Sequence, residues 1–508
     1  MKIKVGYIVI LFIFIVGILF YNITLNSPIV FGDEGYYAYH AKMLSKNYIL
    51  PKFEYLGTRI LHRPFSKLPF FILLDTFAWF VDGEFGIKLL IPLFSILSAF
   101  MVYIFMKKFY NENAGLMAAF IFLLTPALIT YSVLNYVDSL LGLLFVFGMY
   151  FGYKGLNNGK KRDLILAGIF GAFTILTKVT GLLLLALFLI YFIFSKKKNW
   201  KDLFMIFLVS ILIVLPWFIR NVILFNNICL EREPFRCQDF FIDKEIQTIE
   251  GLNFAGGLPQ VGTNVDVLKM GILNFSNFAF GFAITILLIF GIINILSKRI
   301  DKNIFLVLSV LIFVLIFVVG GGYRAEDTAR FLVPAVIGIS MVSGYLMDNI
   351  YNELKKYNKI IGIIVMLIIL VFVFLYGLEK INTMPQVKQF SKAFFEACDW
   401  VKKDTPNDTL IFSIYSHQAT YKCERISTAT VPDKKEIQLT NNDTAYEHLK
   451  LHGFNYIFIQ GFVVSQEPYE DSISIEFLNY IDSSPHFEKV FDNTNIYGNS
   501  GMLIYKVL

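Results

Sequence analysis

Two adjacent carboxylates follow the first apolar stretch of the chain. Asp33 and Glu34 lie in the segment FGDEGYYAYH at positions 31–40. A carboxylate at the edge of a membrane costs free energy unless it meets water, a cation or a metal. We interpret the pair as the centre of an active site. The competing interpretation is a solvated loop that follows a membrane anchor, since exposed charge needs no special explanation.

Isolated charges recur at the ends of later apolar runs. They are Asp138 in YSVLNYVD, Lys178 in TKVTG, Arg220 in PWFIRN, and Arg324 and Arg330 in GGGYRAEDTAR. Each of them alone is typical of a charge that anchors a helix end at the membrane surface. Their common depth at the outer ends of the helices favours a joint site.

A basic segment, HRPFSKLP at 62–69, adds His62, Arg63 and Lys67. It lies between prolines, which prevent a regular helix. An anion is the natural ligand of such a cluster. A basic loop that contacts anionic lipid headgroups is the alternative.

The composition predicts the framework that must position these residues. The chain has 508 residues, of which 56% are hydrophobic, and its mean hydropathy is +0.61. These values indicate an α-helical polytopic membrane protein. About eleven apolar runs are long enough to span a bilayer. They lie near 5–25, 85–106, 115–132, 137–153, 163–178, 180–195, 203–220, 275–296, 303–320, 331–350 and 359–378.

The distribution of lysine and arginine predicts the orientation. The clusters at 2–4, 107–108, 154–162, 196–201, 298–302 and 355–359 all fall on one side if eleven spans are counted. By the positive-inside rule this side is cytoplasmic. We therefore predict a plasma-membrane protein with a cytoplasmic N-terminus, a retained first span and an extracytoplasmic C-terminus. The net charge of +6 comes from these inner segments, so we expect no nucleic-acid partner.

The chain becomes polar after Gly377, which predicts a transmembrane domain at 1–380 and a second domain at 381–508. Strand-like runs at 409–415, 456–460 and 501–507 alternate with helical patterns at 394–403, 443–452 and 472–482. This alternation predicts a small extracytoplasmic α/β domain.

All four cysteines lie in segments predicted to be extracytoplasmic. They are Cys229, Cys237, Cys398 and Cys423. An oxidising compartment favours disulfides. We consider Cys229–Cys237 and Cys398–Cys423 plausible among the three pairings that four cysteines allow.

The ordered motifs resemble the GT-C glycosyltransferases. They comprise an Asp-Glu after the first span, His-Arg-Pro in the same loop, an isolated Asp before the fourth span, Thr-Lys-x-x-Gly, Pro-Trp-x-x-Arg-Asn and Arg-Phe-Leu-x-Pro. The chain is most similar to the protein O-mannosyltransferase and aminoarabinose transferase branch, over about residues 1–380. It departs from the family's Lys-Pro-Pro at 63–65, and it lacks the Trp-Trp-Asp motif of the oligosaccharyltransferases.

The resemblance implies an inverting, mannosyltransferase-like enzyme. It would move a sugar from a polyprenyl-phosphate carrier in the membrane lipid to a protein, lipid or glycan acceptor at the extracytoplasmic face. By family position Asp33 is the base, Glu34 orients it or helps to hold a metal, and Asp138 is the second acidic residue. The candidates for the donor phosphate are Arg63, Lys67, Lys178, Arg220, Arg324 and Arg330. A divalent metal held by Asp33, Glu34 and His62 is a candidate cofactor, and His40 is a further candidate ligand.

Two other functions compete with this one. A transporter should place polar residues at mid-membrane, on broken helices within inverted repeats. A non-catalytic membrane scaffold could share the same fold. The position of the charges at the outer helix ends favours the enzyme.

Overall fold

A computed structural model describes most of the chain. The described residues are 5–29, 32–55, 61–62, 64–65, 67–195, 199–229, 240–241, 282–298, 304–312, 330, 332–387, 392–429, 443–460, 464–465 and 473–508. Arg63, Arg324 and Cys237, which the sequence analysis singled out, lie outside these ranges.

Helices dominate the first three quarters of the chain. They are α1 (Val5–Leu25), α2 (Glu34–Asn47), α3 (Pro69–Phe109), α4 (Glu112–Leu124), α5 (Pro126–Tyr131), α6 (Val137–Asn158), α7 (Lys161–Thr177), α8 (Leu182–Phe194), α9 (Trp200–Phe225), α10 (Phe282–Lys298), α11 (Val333–Tyr357) and α12 (Lys359–Val387). A further helical stretch lies at 304–312. A short antiparallel pair, β1 (Leu61–His62) with β2 (Phe240–Phe241), joins the segment before α3 to the segment after α9.

Several of these helices are suited to a membrane. By length and composition, five helices of the described chain could span it: Pro69–Phe109, Val137–Asn158, Trp200–Phe225, Val333–Tyr357 and Lys359–Met384. Four shorter apolar helices accompany them, at Ile10–Leu25, Glu112–Leu124, Val179–Phe194 and Ile284–Leu296. The protein is therefore an integral membrane protein, whereas the count of eleven spans is not confirmed.

Helix α11 lies at the centre of the bundle and α12 at its edge. In the most apolar window of α11, 89% of the residues are buried, against 22% in α12. Small residues allow α11 to approach its neighbour α4 closely. A Cβ atom at Gly344 would lie 2.6 Å from the backbone nitrogen of Ala118. The central position of α11 matters because Arg330 lies just before it.

The predicted break at Lys178 is present. Helix α7 ends at Thr177, the short 3-10 turn Val179–Gly181 follows, and α8 begins at Leu182. Gly181 allows the tight reversal, because any side chain there would collide with the carbonyl of Thr174. The break brings Lys178 to the end of a helix hairpin instead of the middle of one long helix.

The segment between the first two predicted spans, residues 26–84, contains regular helices. Helix α2 (Glu34–Asn47) occupies its first part. Helix α3 begins at Pro69, and a kink at Asp82 and Gly83 separates its first turns from the apolar part. Asp75 and Asp82 interrupt the apolar run before residue 85, so hydropathy alone did not predict this first part of α3. The structure accommodates them differently, because Asp75 is fully buried while Asp82 is exposed.

The polar C-terminal part forms a small α/β layer. Its helices are α13 (Lys392–Asp404), α14 (Ser416–Cys423), α15 (Asp443–His452), α16 (Ile475–Ser483) and α17 (Thr494–Tyr497). The strands are β3 (Leu410–Ser413), β4 (Ile426–Thr428), β5 (Tyr456–Gln460), β6 (Val464–Ser465), β7 (Ile473–Ser474), β8 (Phe487–Asp492) and β9 (Met502–Val507).

Five of these strands form one mixed sheet in the order β4-β3-β5-β9-β8. Strand β3 pairs in parallel with β4 and β5, and β9 pairs antiparallel with β5 and β8. The strands predicted near 409–415, 456–460 and 501–507 are confirmed, whereas β4 and β8 were not predicted. Because α12 continues to Val387, it crosses the predicted domain division at 380, which stays a prediction.

Candidate active site

Asp138 lies in the first turn of α6 and is fully buried. Lys178 Nζ donates to its Oδ1 at 2.6 Å, and Arg330 Nε donates to its Oδ2 at 2.8 Å. The lysine comes from the α7–α8 break and the arginine from the segment before α11. A buried carboxylate is tolerated only when it is paired in this way. Asp138 therefore ties three helix ends together.

Arg330 reaches a second carboxylate. Its Nη1 donates to Asp33 Oδ2 at 2.7 Å, and its guanidinium lies 4.4 Å from the centre of the Tyr136 ring. Burial alone would lower the pKa of Arg330, but Asp138 and Asp33 raise it above its ordinary value. Arg330 is thus a permanent cation that bridges two of the predicted acidic residues.

Asp33 stands at the N-terminus of α2, but its side chain makes no capping hydrogen bond with that helix. About a third of the side chain is exposed (35%). Burial favours the neutral acid, yet the charges of Arg330, Lys67 and His417 outweigh burial and lower the pKa of Asp33 to about 2. Asp33 is therefore an accessible carboxylate beside a fixed cation.

Backbone contacts hold Asp33 in place. Its N–H donates to the hydroxyl of Tyr136 at 3.1 Å. The preceding Gly32 has a φ of +48°, and any side chain there would collide with the same hydroxyl. Glycine is the residue that adopts this conformation at low cost. Tyr136 thus packs against the turn before α2 and, on its ring face, against Arg330.

Glu34 is directed differently from its neighbour. It is fully buried, and its Oε1 accepts the backbone N–H of Asn135 at 2.8 Å. The side chain of Asn135 in turn donates to Asp75 Oδ2 at 2.8 Å. The two adjacent carboxylates therefore have separate environments. Asp33 lies beside Arg330 and Lys67, whereas Glu34 is buried in the interior.

His417, from the C-terminal layer, is a residue that the sequence analysis missed. Its ring lies 5.1 Å from that of Tyr36, and its charge acts on Asp33. A Cβ atom at Gly35 would lie 2.6 Å from the carbonyl oxygen of His417, so α14 approaches α2 closely at this glycine. A lone histidine far along the chain carries no local signal that could have identified it.

Polar contacts hold α14 against the helical part, and a disulfide holds it within the C-terminal layer. Tyr421 and Lys422 both donate to Glu84 Oε2, at 2.7 and 2.8 Å. The structure contains the disulfide Cys398–Cys423, which joins α13 to the end of α14. Cys229 is also disulfide-bonded.

Lys67 and Arg220, which were also predicted to bind the donor phosphate, have different surroundings. Lys67 lies near Asp33, where its charge lowers the pKa of the carboxyl, and its Nζ is 5.6 Å from the Tyr36 ring centre. Arg220, by contrast, donates to the carbonyls of Pro51 and Phe65. Through these contacts Arg220 holds the segment between α2 and α3, whereas Lys67 lies beside Asp33.

The two histidines suggested as metal ligands contact other groups. His62 is in β1, where its ring contacts Phe53 at 5.3 Å. His40 is buried, and its Nδ1 pairs with the Tyr36 carbonyl at 2.9 Å, which requires the proton on Nδ1. Burial lowers the pKa of His40 to about 4, so this imidazole is neutral near pH 7.

The predicted metal set does not fit this arrangement. In the part of the chain that is described, no three His, Cys, Asp or Glu side chains come together as a metal site would require. One Asp33 oxygen and both Asp138 oxygens accept from Arg330 or Lys178. These oxygens therefore face cationic side chains.

The chain is similar to known proteins both in its sequence pattern and in its architecture. The pattern of a family described as dolichyl-phosphate-mannose-protein mannosyltransferase matches residues 67–223. The structure is similar to ArnT from Cupriavidus metallidurans bound to undecaprenyl phosphate, with a TM-score of 0.66 and 11% identity over 99% of this chain and 98% of that one. This family and ArnT both belong to the GT-C superfamily. The chain has the GT-C fold.

Two further structures extend the GT-C comparison. The archaeal oligosaccharyltransferase AglB from Archaeoglobus fulgidus, in complex with an inhibitory peptide and a dolichol-phosphate, has a TM-score of 0.64 and 13% identity over 90% of this chain and 70% of AglB. The arabinofuranosyltransferase AftD from Mycobacteria has a TM-score of 0.57 and 11% identity over 98% of this chain and 40% of AftD. An AglB structure is also known in complex with zinc and sulfate. No curated protein matches the sequence significantly. The predicted resemblance to GT-C proteins is confirmed, and the comparisons support glycosyl transfer as the general kind of reaction.

Proposed function

We propose that the protein transfers a sugar, with inversion, from a polyprenyl-phosphate carrier to an acceptor hydroxyl at the extracytoplasmic face of the membrane. The observation that carries the proposal is the pairing of Arg330 with both Asp33 and Asp138. It places an accessible carboxylate beside cations at one end of the bundle, which is the combination that displacement of a lipid phosphate needs.

In the proposed reaction the acceptor oxygen forms a bond to the anomeric carbon while the bond from that carbon to the phosphate oxygen breaks. The electron pair of the broken bond leaves with the polyprenyl phosphate, and Asp33 takes the acceptor proton. Lys67 and Arg330 would hold the developing negative charge on the phosphate. The Asp138–Lys178 pair would keep Arg330 oriented. An attack from the face opposite the leaving group accounts for inversion.

The low pKa of Asp33 requires one adjustment in this scheme. A carboxyl with a pKa of about 2 is a weak base at neutral pH, because general-base catalysis is most efficient when the pKa lies near the working pH. A donor phosphate would compete with Asp33 for Arg330 Nη1. Loss of that hydrogen bond would raise the pKa of Asp33, so that donor binding itself would activate the base.

A direct test uses purified protein and a panel of polyprenyl-phosphate sugars that includes dolichyl-phosphate mannose. We expect the protein to release free polyprenyl phosphate from at least one donor in the presence of a membrane extract that supplies acceptors. Mass spectrometry of glycans and lipids from cells with and without the protein would then name the acceptor class. The absence of turnover on every donor, together with unchanged surface glycans, would contradict the proposal.

A further inference from the structure

Asp75, in the first turns of α3, is a buried carboxyl that the proposed reaction does not use. It is fully buried, and its Oδ2 accepts from Asn135 Nδ2 at 2.8 Å. Among the described residues, neither its Oδ1 nor Asn135 Oδ1 has a hydrogen-bond partner. Two acceptor oxygens are therefore left unsatisfied on side chains that already touch each other.

The surroundings of Asp75 contain no compensating charge. The titratable groups that face it are Tyr421 of α14, through space, and Glu34 of α2, by way of Asn135. Neither is a cation, and no Lys, Arg or His of the described chain forms an ion pair with Asp75. Burial of an ionised carboxylate without a cation costs so much free energy that such groups normally take up a proton instead. A neutral acid is the form that this site favours.

We infer that Asp75 is protonated at neutral pH and forms a two-point acid–amide pair with Asn135. A proton on Asp75 Oδ1 is a donor, and Asn135 Oδ1 is the unsatisfied acceptor on the partner side chain. One proton thus satisfies both of the oxygens that lack partners. Buried polar groups in native proteins are nearly always satisfied in this way.

The pair positions the turn at 132–136, which precedes α6. Asn135 donates its backbone N–H to Glu34, and Tyr136 supports both Asp33 and Arg330. Asp75 is the α3 side chain that holds this turn through Asn135, so we assign it a role as a positioning residue. This role rests on the proposed function, whereas the protonation of Asp75 does not.

Two substitutions separate the neutral acid from a charged one. Asp75→Asn retains both hydrogen bonds, since its amide N–H replaces the carboxylic O–H and its carbonyl still accepts. Asp75→Leu removes both and leaves the Asn135 amide unsatisfied. Ser95→Ala is a matched control, because Ser95 of α3 is hydrogen-bonded at 2.7 Å to Ser132 of the same turn, whereas none of the described hydrogen bonds joins it to Asn135. Asp82→Asn controls for the loss of an exposed carboxylate.

Infrared difference spectra of the purified full-length protein test the protonation. At pH 7 the wild-type minus Asp75→Asn spectrum should contain a carbonyl band of a protonated carboxyl group, and the wild-type minus Asp82→Asn spectrum should lack it. The unfolding temperature of Asp75→Asn should stay close to that of the wild type, while Asp75→Leu should lower it by roughly 2 °C or more. A missing band at pH 7, or equal destabilisation by both substitutions, would overturn the inference.

Binding of undecaprenyl phosphate tests the positioning role. We expect the affinity of Asp75→Asn to stay within about threefold of the wild type and that of Asp75→Leu to fall by about tenfold, the equivalent of one lost hydrogen bond to a charged group. Ser95→Ala should retain the affinity even where it lowers stability. Equal losses in Asp75→Leu and Ser95→Ala would assign Asp75 a merely structural role. If the wild type bound no undecaprenyl phosphate, the proposed function would be at fault, while the infrared result would still decide the state of Asp75.

Discussion

Arg330 Nη1 lies 2.7 Å from Asp33 Oδ2, although the two residues come from opposite ends of the helical part of the chain. The same guanidinium binds Asp138 Oδ2 at 2.8 Å. Asp33 is partly exposed while Asp138 is fully buried. The accessible carboxylate can therefore exchange its partner, whereas the buried one anchors the arginine. This asymmetry underlies the predictions that follow.

Asp33→Asn should abolish sugar transfer while leaving folding and donor binding largely intact. Asparagine keeps the size of the side chain but cannot accept the acceptor proton, and loss of a general base typically costs about 10²- to 10⁴-fold in rate. Turnover of the purified variant is the measurement. Asp82→Asn, which removes an exposed carboxylate at the α3 kink, should turn over normally. A rate above about a tenth of the wild-type value would remove Asp33 from the role of base.

Arg330→Ala should weaken binding of a polyprenyl-phosphate sugar by about 1–3 kcal/mol, the typical worth of a hydrogen bond to a charged group. Equilibrium binding in detergent measures the effect. Arg162→Ala is the control, because Arg162 is an exposed arginine at the opposite end of α7 from Lys178. Equal donor affinity in the two variants would exclude Arg330 from the phosphate site.

The stability of the protein should fall in acid over the range in which Asp33 takes up a proton. The folded pKa of about 2 lies below the ordinary value of 3.8, so the folded state binds fewer protons than the unfolded state between these values. The stabilisation from Asp33 is therefore complete above about pH 4 and is lost as the pH falls towards 2.

Unfolding temperatures measured from pH 2 to pH 5 test this dependence. Arg330→Gln removes the largest charge that lowers the pKa of Asp33, so this component of the acid sensitivity should shrink in that variant. In an Asp33→Asn background the substitution of Arg330 should no longer alter the pH dependence. A persistent difference there would mean that a group other than Asp33 titrates.

Lys178→Met should destabilise the helix bundle by about 1–3 kcal/mol, because it leaves the buried Oδ1 of Asp138 without its hydrogen-bond donor while Arg330 still pairs with Oδ2. The two side chains are 7% and 0% exposed, and the atoms lie 2.6 Å apart. Lys356→Met breaks a pair in which both side chains are 65% exposed and should cost about 0–1 kcal/mol. Denaturant or thermal unfolding in detergent compares the two. Similar losses would contradict the burial of the Asp138–Lys178 pair.

Residues 385–508 and the loop at 221–270 should lie outside the cell, opposite the lysine clusters. Single cysteines placed at Asn199 and Thr440, in a variant without the native four, can be labelled from the outer face of intact cells. We expect labelling at position 440 and none at 199. The reverse pattern would overturn the orientation inferred from the positive-inside rule.

Local patterns in the sequence were sufficient for much of the architecture. Hydropathy located the helices, and Lys178 with Gly181 marked a true break, because an isolated charge and a glycine in an apolar run act on the backbone nearby. The strand at 456–460 followed from its apolar and β-branched residues alone. The order of the motifs was also enough to indicate the GT-C fold.

Only the tertiary structure decided which charges meet. Arg220 and Arg330 are both arginines at helix ends. Packing directs Arg220 to the carbonyls of Pro51 and Phe65, but it brings Arg330 to Asp33 and Asp138. No local pattern predicted the roles of Asp75 and His417, since these roles depend on partners distant in the sequence. Periodicity encodes which face of a helix is apolar, whereas ion pairs between α2, α6 and α11 depend on how those helices pack in three dimensions.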